Sequence, residues 1–244
     1  MNLIIDVGNS FIKLAIFEKD EMVKKKTISL KDFESQLKEM EKEFPKLSYA
    51  IVSSVGEFSE KISPLLNTKL KVHILTHKSK LPFKNFYQTP TTLGVDRIAL
   101  VSAAAFKYPK KNVLMIDAGT CITYDFLNYK KEYLGGGISP GITMRYKAMH
   151  TFTSKLPLLE PTKPNTFIGD STKISMDVGV VQGVANEIEG FISLYQHNFS
   201  DLTTILTGGD AQFLRDSIKN DIFANSNFLL EGLNHILELN KDSF

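Results

Sequence analysis

The chain has 244 residues, of which 43% are hydrophobic and 23% charged, the composition of a globular protein with one large domain or two small ones. Its 29 basic and 27 acidic residues give a net charge of +2, which excludes a strongly basic nucleic-acid-binding protein. The single cysteine, Cys121, excludes an intramolecular disulfide and a cysteine-based metal cluster.

The beginning of the chain predicts no export signal. It reaches an acid, Asp6, too early for a signal peptide, and no run approaches the ~20 apolar residues of a membrane helix. The low cysteine content fits a reducing compartment. We therefore expect a cytoplasmic protein without a membrane segment.

The first predicted element is a β-hairpin over residues 2–17, in which an apolar run ends in Asp6 and a second run follows a turn. Gly8 allows a tight turn whose N–H groups can approach an anion. Lys13, on the outgoing strand, can reach a phosphate oxygen. A plain hairpin with a surface lysine is the alternative, and the later run 24–26 of three lysines is interpreted as a solvated turn.

An alternation of helices and strands follows. Apolar spacing behind Ser29 predicts a helix to Met40, residues 48–53 and 70–76 are predicted strands, and residues 96–107 form an alanine-rich predicted helix. Opposite charges stand side by side at the start of that helix. Asp96 either caps the helix or accepts a proton from a substrate hydroxyl, and Arg97 can pair with an anion.

A second predicted hairpin, over residues 113–127, repeats the pattern of the first. Asp117 ends an apolar run and precedes a glycine turn that contains Thr120. Because Asp6 and Asp117 are separated by close to half the chain, the repeat predicts a duplicated α/β domain with a ligand cleft between the copies. We expect the domains at residues 1–112 and 113–244, with Asp117 either holding a cation or capping its turn.

The remaining elements continue this alternation. Residues 135–141 (GGGISPG) predict a special loop, because three consecutive glycines are costly to order, and Arg145 behind it is a candidate to face an anion. Thr172 starts a helix whose apolar stripe covers residues 174–192, where it can bond a ligand or the backbone. A strand over 203–207, a Gly208-Gly209 turn before a helix, and a last helix over 228–239 complete the prediction.

Taken together, these motifs resemble the type III pantothenate kinases, members of the acetate and sugar kinase/Hsp70/actin superfamily. The resemblance covers nearly the whole chain. It rests on DVGNSFIK at 6–13, GVDR at 94–97, DAGTCITYD at 117–125, GGGISPG at 135–141, KLP at 155–157, GDST at 169–172 and TGGDA at 207–211.

This resemblance implies a duplicated ribonuclease-H-like fold, with the active site in the cleft between the copies, and ATP-dependent phosphorylation of pantothenate, the first step of coenzyme A biosynthesis. It assigns Asp96 as catalytic base. The implied pantothenate contacts are Tyr87, Gly94, Val95, Asp96, Arg97 and Thr172. The implied ATP contacts are Asp6, Val7, Gly8, Asn9, Ser10, Phe11, Ile12, Lys13 and Thr120.

The resemblance also implies ions and an assembly. Asp117 would hold a monovalent cation, K⁺ or NH₄⁺, and Asp6 would hold the Mg²⁺ of ATP, directly or through water. A homodimer is expected, with no nucleic acid or membrane partner. Two other functions stay open: a non-catalytic ATP-binding relative that acts as an accessory factor in transcription, and another kinase of the superfamily with a different small acceptor.

Overall fold

The computed structural model describes residues 1–8, 11–54, 66 and 70–244. Contacts between residues divide the chain into two compact units. The first contains Met1–Pro109, Lys131–Tyr133 and Asn227–Phe244, and the second contains Lys110–Lys130 and Leu134–Ser226. The expected domain division at residue 112 stays a prediction, and these units differ from it mainly by grouping residues 227–244 with the first.

Strands and helices alternate along the described part of the chain. The strands are β1 (Asn2–Val7), β2 (Ile12–Glu18), β3 (Glu21–Ile28), β4 (Tyr49–Ser54), β5 (Lys71–Ile74), β6 (Lys84–Asn85), β7 (Asn112–Ala118), β8 (Cys121–Leu127), β9 (Glu132–Pro140), β10 (Leu202–Thr207) and β11 (Phe223–Ala224). The helices are α1 (Phe33–Glu43), α2 (Val95–Lys107), α3 (Ile142–Phe152), α4 (Thr172–Asp177), α5 (Gly183–Asn198), α6 (Ala211–Arg215) and α7 (Phe228–Asn240).

The sheet of the first unit has the order β3-β2-β1-β4-β5. Strand β2 is antiparallel to both β1 and β3, β4 is parallel to β1, and β5 is parallel to β4. One face carries apolar side chains, such as Leu3, Ile5 and Leu14, which pack with Leu37 of α1. The predicted hairpin, the helix behind Ser29 and the next two strands are confirmed. Apolar runs bury most of β1, β2 and β4, and α1 buries one apolar face.

Helices α2 and α7 pack closely in the first unit. A Cβ atom added at Gly232 of α7 would lie 1.9 Å from the backbone oxygen of Ala99 in α2, so only glycine permits this approach. An ion pair between Lys107 and Glu231 joins the same two helices. The alanine-rich sequence of α2 therefore provides the small side chains that a close helix contact needs.

The second sheet has six strands in the order β6-β9-β8-β7-β10-β11, and its last five match the order of the first sheet. Strand β8 is antiparallel to β7, β10 is parallel to β7, and β11 is parallel to β10. An apolar core of Leu114, Ile116, Ile188 and Leu206 covers one of its faces. The shared strand order confirms the repeat that the two hairpins predicted. The first residues of β9, at positions 132–133, belong to the first unit and pair there with β6.

Three local predictions are wrong. The lysine run 24–26 lies inside β3 and is not a turn. Most of the glycine-rich segment 135–141 lies in strand β9, where a Cβ at Gly136 would overlap the Tyr124 backbone oxygen at 1.5 Å. The apolar stripe 174–192 is not one regular helix, because a π-helical segment at Val178–Gln182 separates α4 from α5.

None of the helices within the described residues combines the length and the apolar character that a bilayer-spanning segment requires.

Candidate functional site

The hairpin turn of the first unit places Asp6 at the buried end of β1. Asp6 pairs with Lys13 across the antiparallel strands, and the Gly8 N–H donates to the Phe11 backbone oxygen at 3.1 Å to close the turn. Asn9 and Ser10, two of the predicted ATP contacts, lie outside the described residues. The other predicted contacts in this segment differ in accessibility: Val7 and Ile12 are buried in the core, and Phe11 is exposed.

Several groups act on the carboxyl of Asp6, whose side chain is only about one-twentieth exposed. Burial raises its pKa to about 6, because a carboxylate loses hydration away from water. The Lys13 ammonium, whose Nζ lies 3.8 Å from Asp6 Oδ2, opposes this rise. The negative charge of Asp96 raises the pKa further. The structure thus brings Asp6, Lys13 and Asp96 into one electrostatic cluster.

The start of α2 holds the GVDR segment. Gly94 is the N-cap residue, so of the two alternatives for Asp96 the helix cap is wrong. Asp96 stands in the first turn, and its Oδ1 accepts a hydrogen bond from the Arg97 N–H at 2.8 Å. A Cβ at Gly94 would lie 2.3 Å from that same Oδ1. Glycine at this position therefore leaves room for the orientation of the Asp96 carboxylate.

Arg97 and Tyr87 form a second contact in the first unit. The Arg97 guanidinium carbon lies 5.3 Å from the centroid of the Tyr87 ring, within the range of a cation–π interaction. Tyr87 in turn stacks on the buried ring of Tyr133 with 6.1 Å between centroids. Two predicted pantothenate contacts thus lie together, and the buried guanidinium has a fixed direction.

In the second unit, two other backbone segments lie close against the turn after β7. Gly208 has φ of +99°, and a Cβ there would lie 2.2 Å from the Ala118 backbone oxygen and 2.4 Å from Asp117 Oδ1. Gly141 donates its N–H to the Thr120 backbone oxygen at 3.0 Å. The DAGT, GISPG and TGG motifs, distant in sequence, therefore meet around Asp117, which is half-buried, and Thr120, which is exposed.

Asp210 follows this glycine turn. It is the N-cap residue of α6, but its side chain makes no capping hydrogen bond. Its N–H donates to the Ala118 backbone oxygen at 2.9 Å, and partial burial raises the pKa of its carboxyl.

Thr172 lies at the edge of a cavity of about 690 Å³ in the second unit. Met149, Leu156 and Met176 give this cavity apolar walls, and the polar groups at its edge come from residues 170–172 and Ser175. Ser171 is the N-cap of α4 and accepts a hydrogen bond from the Ile174 N–H at 3.4 Å. Because the Ser171 side chain accepts the hydrogen bond from the N–H group at the start of α4, the exposed hydroxyl of Thr172 is not needed for capping and is available to a ligand.

A buried network that the sequence did not predict supports this cavity. Asp177 of α4 is almost fully buried, and its Oδ1 accepts a hydrogen bond from Tyr146 of α3. Lys173 donates to Asp177 Oδ2 at 2.7 Å and to Thr162 Oγ1 at 3.3 Å. Burial and the bond to Asp177 raise the pKa of Tyr146, which keeps its hydroxyl proton as the donor. The four-residue spacing of Lys173 and Asp177 was a visible signal of their contact.

Arg145, a candidate for binding an anion, already has an anionic partner in the second unit. Its guanidinium donates to Glu187 Oε2, to Ser139 Oγ at 2.9 Å and to the Pro140 backbone oxygen at 2.9 Å. Tyr124 donates to the other oxygen of Glu187 at 2.8 Å. Burial alone would raise the pKa of Glu187, but these hydrogen bonds outweigh burial and lower it.

The donor set suits a magnesium ion that arrives with a nucleotide. Among the described residues, no group of three or more histidine, cysteine, aspartate or glutamate side chains is arranged to hold a metal ion. Mg²⁺ in kinases is usually held by one or two carboxylates together with substrate phosphates and water. The buried carboxylate of Asp6, beside Lys13 and the turn at Gly8, supplies a ligand of that type.

A family model described as type III pantothenate kinase matches residues 2–194. The chain belongs to the type III pantothenate kinase family. A type III pantothenate kinase of Christiangramia forsetii is 50% identical over 241 residues, which cover 99% of both chains. A second one, from Flavobacterium johnsoniae, is 45% identical over 243 residues and covers 100% of both. Membership in this kinase family implies ATP and a divalent metal ion.

Solved structures share the fold of this type III pantothenate kinase family member. A Campylobacter jejuni protein described as a Baf family transcriptional activator has a TM-score of 0.63 at 23% identity, covering 98% of this chain and 99% of its own. A glucokinase from an Antarctic psychrotroph has a TM-score of 0.53 at 11% identity, covering 97% and 98%. At such identities the likeness concerns the fold alone. It confirms the predicted α/β fold.

Proposed function

We propose that this protein transfers the γ-phosphoryl group of ATP to the primary hydroxyl of pantothenate, giving 4′-phosphopantothenate. One observation carries the proposal: in a chain of this family, the DVGNSFIK and GVDR segments converge so that Asp6, Lys13 and Asp96 interact in the first unit. The relatives named type III pantothenate kinase match over the full chain, which favours pantothenate as the acceptor.

Asp96 is assigned as the catalytic base. Its Oδ1 is held by the Arg97 N–H, which orients the carboxylate, and we assign Oδ2 to the substrate proton. The pantothenate hydroxyl oxygen attacks the γ-phosphorus while the bond from that phosphorus to the β–γ bridging oxygen breaks. The hydroxyl proton passes to Asp96, and ADP leaves.

The phosphates are assigned to the two hairpin turns. Lys13 and the N–H groups of the first turn, residues 6–13, bind phosphate oxygens, and Thr120 contributes a hydroxyl from the second turn. When bound with ATP, Mg²⁺ neutralises charge that develops on the transferred group, and Asp6 is the residue that would hold it, directly or through water. Lys13, close to Asp6, keeps the pKa of that carboxyl from rising further, which favours the ionised ligand.

The proposed pantothenate contacts supply three kinds of chemical group. In the first unit, residues 94–97 and Tyr87 provide a guanidinium and an aromatic face with fixed directions, suited to a carboxylate and an amide. In the second unit, Thr172 offers a hydroxyl beside the apolar cavity. These groups match an acceptor that carries a carboxylate, an amide and methyl groups.

Further assignments extend the proposal to ions, assembly and location. Asp117 holds a monovalent cation, K⁺ or NH₄⁺, beside the turn that carries Thr120. We assign ribonuclease-H-like domains to residues 1–112 and 113–244. We also propose a homodimer, for which the exposed side chains of Leu134 and Leu194 offer an apolar surface. The single cysteine fits a cytoplasmic location.

The experiment is a coupled assay of ADP formation with pantothenate, with and without K⁺. ADP release that depends on pantothenate and increases with K⁺ is the expected result. ADP formation with another small alcohol or carboxylate, but not with pantothenate, would show that pantothenate is not the acceptor. Binding of ATP without turnover on any acceptor would favour a non-catalytic role, which the family relationship does not favour. Light scattering of the purified protein tests the dimer.

A further inference from the structure

The three lysines at positions 24–26 point in two directions from strand β3. Lys24 and Lys26 form ion pairs with Glu43 and Glu39 on helix α1. Side chains alternate between the two faces of a strand, so Lys25 lies on the opposite face. There its Nζ donates to Asn227 Oδ1 at 2.8 Å. The run therefore separates into two lysines that stabilise α1 and one that does not.

Lys25 shares its face of the sheet with the residues of the phosphate-binding turn. Asp6 pairs with Lys13 across β1 and β2, and Ala15, two residues further along β2, pairs with Lys25 of β3. Lys13 and Lys25 are thus diagonal neighbours on adjacent strands, with Cα atoms about 7–8 Å apart, a distance that two long side chains can bridge. The sheet register alone brings both ammonium groups to the side of Asp6.

The charges of the two lysines act on each other. Partial burial lowers the pKa of Lys25, and the positive charge of Lys13 lowers it further. Two neighbouring ammonium groups repel each other. A polyanion bound between them attracts both groups and offsets that repulsion. Asp6 contributes a single negative charge on this face, whereas the phosphates of a nucleotide bring several.

We propose that Lys25 is a second phosphate-binding lysine, whose ammonium leaves Asn227 to bind the nucleotide phosphates together with Lys13. This assignment rests on the ATP binding that is part of the proposed function. It gives β3 a role in nucleotide binding, which none of the motifs of the chain assigns to it.

The test compares Lys25→Gln with Lys24→Gln, which removes the same charge one residue away on the α1 side. Titration calorimetry of the full chain measures the affinities for MgADP and for adenosine. We expect Lys25→Gln to weaken MgADP binding about tenfold, the value of one charge-assisted hydrogen bond at a partly exposed site, and to leave adenosine binding unchanged. Lys24→Gln is expected to change neither, and Lys25→Arg to keep most of the MgADP affinity.

Several results would overturn the assignment. Equal MgADP affinities for Lys25→Gln and wild type would do so, and so would an equal loss for adenosine, which would indicate a structural effect. Asn227→Ala removes one hydrogen-bond partner of Lys25 and keeps the charge of Lys25, so a loss matching that of Lys25→Gln would also count against the assignment. Wild type that binds no MgADP would refute ATP binding and the Lys25 role together. Failure to phosphorylate pantothenate despite normal MgADP binding would refute only the proposed acceptor.

Discussion

Replacing Asp6 with asparagine should stabilise the ligand-free protein at neutral and alkaline pH. Burial raises the pKa of Asp6 from 3.8 to about 6, so the folded state binds its proton more tightly than the unfolded chain does. The stability linked to that proton is present at low pH and is lost as the pH rises through about 6. At ~1.36 kcal/mol per pKa unit, the ionised Asp6 costs about 3 kcal/mol at pH 8. Because this raised pKa already includes the attraction of Lys13, the cost is a net value.

Asp6→Asn removes the charge that carries this cost. Thermal unfolding followed by circular dichroism should show a Tm higher by about 6–12 °C at pH 8, since each 1 kcal/mol shifts the Tm of a protein of this size by about 2–4 °C. The gain should fall to about half at pH 5, where the wild-type carboxyl is mostly protonated. Asp32→Asn, at an exposed carboxylate, is the control and should show no such gain.

The same variant should lose the response to nucleotide. MgADP raises the wild-type Tm by mass action, and Asp6→Asn should show little of that increase because the proposed metal ligand is gone. A variant no more stable than wild type at pH 8, or a gain that does not change between pH 8 and pH 5, would refute the electrostatic reasoning for Asp6.

Four further substitutions test the rest of the site. Asp96→Asn is expected to lower kcat about 10²–10⁴-fold in the coupled assay, since general-base catalysis contributes that much, and a near wild-type kcat would remove Asp96 from the base role. Asp117→Ala is expected to abolish activation by K⁺, and a variant still stimulated would place the cation elsewhere. Gly208→Ala puts a side chain on a residue with left-handed backbone, against a backbone oxygen, and should lower the free energy of unfolding by about 1–3 kcal/mol. Gly209→Ala is the control, because a Cβ there would have no atom within 4 Å, and it should not lower stability in this way. Similar Tm values for the two variants would contradict this account. Tyr146→Phe leaves a buried carboxylate short of a donor and should raise KM for pantothenate more than KM for ATP; an equal change in both would disconnect this network from the acceptor.

The two hairpins and the Gly208 turn could be predicted because their signals are local. An apolar run that ends in an aspartate before glycine marks both a strand end and its turn. The interaction between Asp6 and Asp96 lacked such a signal, because it depends on how helix α2 packs in the first unit. Only the resemblance to a family placed both residues in one site.

The wrong predictions and the missed contact have separate physical causes. Strand β3 exposes alternate side chains, and a strand whose exposed and half-exposed positions are both lysine shows no polar–apolar alternation. Strand β9 contains three glycines, which have no side chain to reveal the period, and its backbone packs against Tyr124 because those side chains are absent. Tyr146 and Asp177 meet across α3 and α4, and only tertiary packing brings such a pair together.

The close contact of α7 with α2 imposes an order on folding during synthesis. A ribosome must complete residues 227–244 before Gly232 can reach Ala99 and before Asn2 of the first strand can bond with Asn234 and Glu238. The second unit, by contrast, has all of its residues once position 226 has been made. The unit whose translation begins first is therefore the unit that finishes folding last, and until then the faces of its sheet and of α2 that α7 covers stay unburied.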